Sequence, residues 1–327
     1  MLRFFRSSDN IVIVVILLIG VLTWLHVFGA TQTVHSEIYG TFMFLALNVN
    51  MSAMLQILLG LILFLFTAIL MIFVNNRLHL IDKISYLPSL CYVMLVGGAL
   101  DIHLFNPVII ATILLIIAFI ILVGSFASER LSYKYFTVSA LISFATFFYQ
   151  YMYVYMLVVW LVIALWRPGY WREWVFSILG FALPLFFAFS WFFLIDDDYT
   201  RMGVFLKEIF NIQRVAISLS SNTIAFFALS IVLFIITFGY TFRYVGSKKI
   251  AIRTGYYVMI LIVAITVGMA FIVPDMIPMA WYLLAFPMSF SISYYLATIK
   301  SNFWGTIVLV AFFIGVTVAQ AIFLAIR

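Results

Sequence analysis

The sequence predicts an all-α, polytopic integral membrane protein folded as one domain over residues 1–327. Three observations predict it. Apolar residues make up 67% of the chain and charged residues only 9%. The charges fall in short clusters. Between the clusters lie apolar runs of roughly 15–25 residues, close to the ~20 that a helix needs to cross a hydrocarbon core.

The elements follow in order. Met1 to Arg6 is basic and precedes the run from Ile11 to about Gly29. That run is long for a signal-peptide core and no Ala-x-Ala site follows, so it reads as an uncleaved first span. Ten further runs lie at about 51–74, 85–100, 107–125, 135–148, 151–166, 174–195, 222–242, 255–273, 278–298 and 302–325. The total is about eleven transmembrane helices, with a range of 10–12. The runs at 85–100, 135–148 and 151–166 are short. The last two form a tight hairpin through Tyr149-Gln150-Tyr151, bracketed by Lys134 and Arg167. The chain returns to the same side whether these segments cross fully or only dip in. Pro184 and Pro287 fall inside their runs and predict kinks.

Sidedness follows from the cations. With the N-terminus in the cytoplasm, thirteen of the 17 Lys and Arg residues lie in inner segments. Only Arg201, Lys207, Arg214 and Arg327 lie outside, as the positive-inside rule requires. Together with the resemblance given below, the expected location is a bacterial inner (cytoplasmic) membrane. The carboxylates lean the other way, seven of the 11 outward. The inner loops, such as Arg167-Pro-Gly-Tyr-Trp-Arg-Glu-Trp174, combine cations with interfacial aromatics and read as plain anchors.

Composition also excludes classes of function. The net charge of +6 is spread between spans and forms no patch, so nucleic acid is not a partner. Cys91 is the only cysteine, so no internal disulfide or thiolate metal cluster forms. His79 lies on the inner side and His26, His35 and His103 on the outer, which excludes a four-histidine centre. No nucleotide loop, serine-hydrolase elbow or zinc-hydrolase motif is present.

The polar chemistry gathers in three outer segments. The first, residues 30–50, carries Glu37 and closes with an apolar stretch that suits a helix lying at the interface. The second is the turn Asp101-Ile-His103, a carboxylate and an imidazole two residues apart. The third, residues 196–221, opens with three aspartates and continues as an amphipathic helix over about 200–218. Met202, Phe205, Ile209, Ile212 and Ala216 face the bilayer, while Lys207, Asn211 and Arg214 share another face. Two cations so spaced, with Arg201 nearby, suit an anionic headgroup or a lipid-linked phosphate. The plainer reading of each segment is a solvated loop charge or a snorkelling cation. Within the spans, Gln56 and Gln320 read as helix–helix hydrogen-bonding groups.

The region 87–184 carries a resemblance. Ser139-Ala-Leu-Ile-Ser-Phe-Ala-Thr-Phe-Phe-Tyr149 leads into an apolar helix ending Ala164-Leu-Trp-Arg-Pro168. Trp171-Arg-Glu-Trp174 and Gly180-Phe-Ala-Leu-Pro184 follow. This pattern resembles an uncharacterised family of polytopic inner-membrane proteins of Bacteroidota. More loosely it is similar to the middle of GT-C glycosyltransferases, over about a third of the chain. The GT-C resemblance implies a transferase that uses a polyprenyl-phosphate-linked sugar at the extracytoplasmic face. It implies acidic residues in the first and second outer segments, where Glu37 and Asp101 stand. The paired acidic motif usual in the first of these is absent.

Three functional readings stand at this point. In the first, Glu37 or Asp101 is the general base that takes a proton from the acceptor hydroxyl. His103 orients that hydroxyl or helps to hold a divalent metal. Arg201, Lys207 and Arg214 bind the departing lipid phosphate. The second is a non-catalytic subunit or scaffold among the protein subunits of an envelope complex. The third is a lipid or glycolipid transporter, which needs a continuous polar cavity. All three have membrane lipids as partners.

Overall fold

A computed structural model of the chain describes residues 2–6, 9–28, 53–81, 85–99, 106–125, 132–166, 169–196, 220–273, 276–299 and 301–325. Every regular element among them is helical. A short α1 (Leu2–Phe5) precedes α2 (Asn10–Phe28), α3 (Ala53–Leu78), α4 (Leu87–Gly97), α5 (Pro107–Ser125) and α6 (Ser132–Thr146). A 3-10 segment, Gln150–Tyr155, leads into α7 (Met156–Trp166). The chain ends with α8 (Trp171–Asp196), α9 (Ser221–Val245), α10 (Ile250–Ile272), α11 (Ile277–Thr298) and α12 (Asn302–Ala325). Each of the eleven apolar runs read from the sequence therefore contains a helix.

Six of these helices are long and apolar enough to cross a membrane: α3, α5, α8, α9, α10 and α12. Three shorter apolar segments, Asn10–Trp24, Leu87–Gly97 and Gln150–Trp166, fall below that length. The reason is geometric. At 1.5 Å per residue, the 11 residues of α4 rise only about 16 Å, half of a hydrocarbon core. The expected hairpin at Tyr149-Gln150 is present, with its return limb starting as a 3-10 helix. α8 and α11 both run on through their internal prolines, Pro184 and Pro287.

α4 and α11 form the axis. All 11 residues of α4 are buried, and so are eighteen of the 22 in α11. α2, α3, α5, α9, α10 and α12 surround them. A helix apolar or small on every side is what a bundle axis demands. The α11 surface supplies it with Trp281, Tyr282, Phe286, Phe290 and with Ser289 and Ser293, whose hydroxyls bond back to their own helix, Ser289 to the Phe286 carbonyl at 2.7 Å. α8 lies at the periphery, packing on α6 and α7. There Gly180 sits directly against the backbone of Phe136, an approach that a β-carbon would block.

Contacts between helices set their directions. Trp281, early in α11, donates its Nε1–H to the carbonyl of Leu95, late in α4, at 2.9 Å. Tyr256, early in α10, packs edge-on against Tyr294, late in α11. Tyr155, ahead of α7, shares a 2.6 Å hydrogen bond with Thr266, late in α10. Gln320, late in α12, donates to the carbonyl of Thr23, late in α2, at 3.2 Å. Two ends result. One holds Arg6, Leu80, Lys134, Gly255 and Leu296, and is called the Arg6 end. The other holds Thr23, Gly97, Asn106, Phe226 and Trp281, and is called the Trp281 end.

The Arg6 end is fastened by side chains on carbonyls. Arg6 donates to the carbonyls of Leu296 (2.9 Å from Nε) and Ile299 (3.1 Å), in the last turn of α11. A cation there also suits the partial negative charge of the helix C-terminus. Lys134 donates to Gly124 at 3.0 Å, past the middle of α5's last turn. Asn75 is 1% exposed and shapes the link from α3 to α4. Its Oδ1 accepts from the Ile81 N–H at 3.1 Å and its Nδ2 donates to the Ser85 carbonyl at 3.3 Å. His79 leaves α3 with a positive φ of 50°, the left-handed exit common at helix ends.

Candidate functional site

Every residue that the sequence nominates for chemistry falls outside the described residues: Glu37, Asp101, His103, Arg201, Lys207 and Arg214. So do the interfacial segment 30–50 and the amphipathic stretch 200–218. What the structure describes is the framework that carries them. Segment 29–52 follows α2, whose Thr23 is at the Trp281 end, and precedes α3, which finishes at the other end. Segment 100–105 joins Gly98 to Asn106, both at the Trp281 end. Segment 197–219 leads into α9, whose Phe226 packs against Gly98. The described helix ends that flank these acidic and basic segments thus share one end of the bundle.

Local sequence explains how those ends are made. Asn106 caps α5: its Oδ1 accepts from the Val108 N–H at 3.0 Å, and Pro107 follows at the first helical position. Its Nδ2 contacts the sulfur of Met279 in α11. Ser220 caps α9 by accepting from the Thr223 N–H at 3.3 Å. Gly97 permits α4 to meet Thr23, where a β-carbon would stand 2.8 Å from the hydroxyl.

Beneath these caps the Trp281 end is closed by aromatic packing. Trp281 stacks on Phe227 with ring centroids 3.9 Å apart, and Phe226 lies against Phe312. Among the described residues this floor carries no acid or base. The α6–α7 hairpin, tied to α10 by Tyr155 and Thr266, is more polar: there Tyr149 and Tyr151 meet edge-to-face at 5.4 Å. The Tyr149 hydroxyl is buried with no hydrogen-bond partner among the described residues. The sequence shows this stretch as the hairpin turn, and the four tyrosines in Tyr149–Tyr155 beside Phe147-Phe148 mark it as unusual.

Metal ligation has no described framework: among the described residues no group of three or more His, Cys, Asp or Glu is placed to hold an ion. The clefts that are described are apolar or nearly so. One lies between α4, α11 and α12, and a second between α9 and α10 is lined by Phe238, Thr241, Tyr256 and Tyr257 among others.

The class that fold and composition define is a multi-pass α-helical membrane protein. No family model, curated protein or solved structure matches the chain.

Proposed function

We propose that this chain is an inner-membrane protein of GT-C-like architecture. In this reading it crosses about eleven times with its N-terminus in the cytoplasm, and it transfers a sugar from a polyprenyl-phosphate carrier at its outer face. The observation that carries the reading is the shared end of the flanking helices: α2, which precedes the segment bearing Glu37, meets α4, which precedes Asp101 and His103, and α4 meets the start of α9 there. Acidic groups and cations on one rim are what such a transfer needs, a base for the acceptor hydroxyl and positive charge for the leaving phosphate. Short α4, α6 and α7 count as crossings in this reading. The experiment is glycan assembly in cells that carry Glu37→Gln together with Asp101→Asn. Loss of assembly with normal protein levels supports the catalysis; unchanged assembly refutes it.

The closed aromatic floor favours a second reading, a non-catalytic subunit of an envelope complex. A scaffold needs a rigid packed end, and the Trp281–Phe227 stack supplies one. This reading is supported by a stably co-purifying membrane partner and by indifference to both carboxylate changes.

A further inference from the structure

The turn between α9 and α10 carries the densest positive charge in the chain. Arg243, Lys248, Lys249 and Arg253 fall within eleven residues, and no acidic residue occurs between Glu208 and Asp275. The four other inner segments with paired cations each have a carboxylate within a few residues, Asp9, Asp82, Glu129 or Glu173, and so net one positive charge. This turn nets four.

Helix geometry gathers these charges. Arg243 lies in the last turn of α9, and Lys249 stands at the start of α10 with no side-chain cap bond. The Arg253 N–H donates to the Lys249 carbonyl at 3.1 Å, so these two residues are one helical turn apart. Arg243 and Lys249 are exposed and Arg253 is half-buried. Among the described residues no hydrogen bond or ion pair engages any of these three side chains. Like charges on one short turn repel, and a bound anion relieves the repulsion. Both limbs of the turn are held at the end of α11. Tyr240 packs edge-on against Tyr295 with ring centroids 5.1 Å apart, and Tyr256 against Tyr294 at 5.6 Å. The turn therefore stands at the Arg6 end of the bundle. Phe242, Tyr244 and Ile250 are interleaved with the cations and exposed. Aromatic and apolar side chains at a span's end sit in the interfacial zone, which puts the cations beside them at the depth of lipid phosphates.

We propose that this turn is a headgroup site for anionic phospholipid, with Arg243, Lys249 and Arg253 holding the net negative charge of the lipid at the bilayer surface. A soluble polyanion would match the charge but not the exposed Phe242 and Ile250 beside it, whereas a lipid surface matches both. No cavity is needed, because the acyl chains stay in the bilayer. The proposal goes beyond the transferase reading and depends on no catalytic step.

The test is native mass spectrometry of the full chain in detergent, with phosphatidylglycerol and phosphatidylcholine of identical acyl chains at equal concentration. The phosphatidylglycerol adduct is expected to be about fivefold the more abundant or better, the factor that one cation at an anionic surface supplies. Arg243→Gln, Lys249→Gln and Arg253→Gln together should bring the two lipids nearly level. Arg243→Lys with Arg253→Lys should keep most of the preference, since the charge is retained. A second triple change, Arg77→Gln, Lys83→Gln and Arg172→Gln, removes the same charge from other inner segments and should leave the preference standing. Equal binding of the two lipids by the parent chain overturns the proposal. So does a preference that survives neutralisation of the turn, or an equal loss in both triple variants.

Discussion

The Nε–H of Arg6 points at the carbonyl of Leu296, 290 positions further along the chain, at 2.9 Å. The N-terminus and the last turn of α11 are therefore on one side of the bundle. An even number of traverses separates them, whatever the absolute orientation.

Sidedness is the first prediction. In a Cys91→Ser background, Ser247→Cys and Ser301→Cys should react with a membrane-impermeant maleimide from one face. Asp101→Cys and Thr200→Cys should react from the other. Labelling positions 247 and 301 from opposite faces contradicts the Tyr256–Tyr294 contact, which sets the start of α10 beside the end of α11. Labelling 101 and 200 from opposite faces removes the shared rim on which the transferase reading depends.

The crossing of α6 and α8 gives the second. A methyl group at position 180 would run into the Phe136 backbone, which moves only if the whole helix does. Gly180→Ala should cost about 1–3 kcal/mol, and Gly180→Leu more. Thermal unfolding in detergent reads the loss. An unchanged midpoint for Gly180→Leu would mean that the two helices do not approach as described.

Trp281 tests the axis. Trp281→Phe keeps most of the stack on Phe227 but orphans the Leu95 carbonyl, at about 1 kcal/mol. Trp281→Ala also leaves a cavity and should cost about 3–5 kcal/mol. Equal effects from the two substitutions would show that the hydrogen bond, not the stacking, dominates.

Asn75 is the fourth. Asn75→Ala leaves the Ile81 N–H and the Ser85 carbonyl without their partner, for a loss of about 1–3 kcal/mol. Asn75→Asp keeps the acceptor, loses the donor and buries a charge, so it should be worse than alanine. If aspartate is the milder change, the amide does not bridge the link as described.

Much of the fold is legible in the sequence because a bilayer leaves few choices. Apolar runs fix where the helices are, and Gln320 reads correctly as a helix–helix group because amides in spans seldom have other work. Which helix lies at the centre is not legible. Lipid and protein interior are both apolar, so a run such as Ile109–Val123 looks alike facing either. α11 is the informative exception: its Trp, Tyr, Ser and Pro content lowers its apolarity, and burial on all sides makes that tolerable. The role of Arg6 was hidden for another reason. A basic N-terminus before a span is what sidedness alone predicts, so its capping of a helix nearly 300 residues away leaves no local trace. Asn75 likewise leaves no trace, because Asn75-Asn76-Arg77 at the end of an apolar run looks like a plain interfacial anchor. The candidate site divides differently. Its acids and cations are conspicuous in sequence because they interrupt apolar runs, while the aromatic floor below them is spelled in the same letters as the rest of the core.

The central position of α11 bears on biosynthesis. When the ribosome has made the first 270 residues, all the segments destined to enclose this rod except α12 already exist, and the rod does not. α4, too short to hold its own place, has its principal neighbour still untranslated. Early helices must be kept loosely gathered at the insertion machinery until the penultimate one slides between them, so chains cut short before residue 277 should be cleared by membrane proteases rather than accumulate.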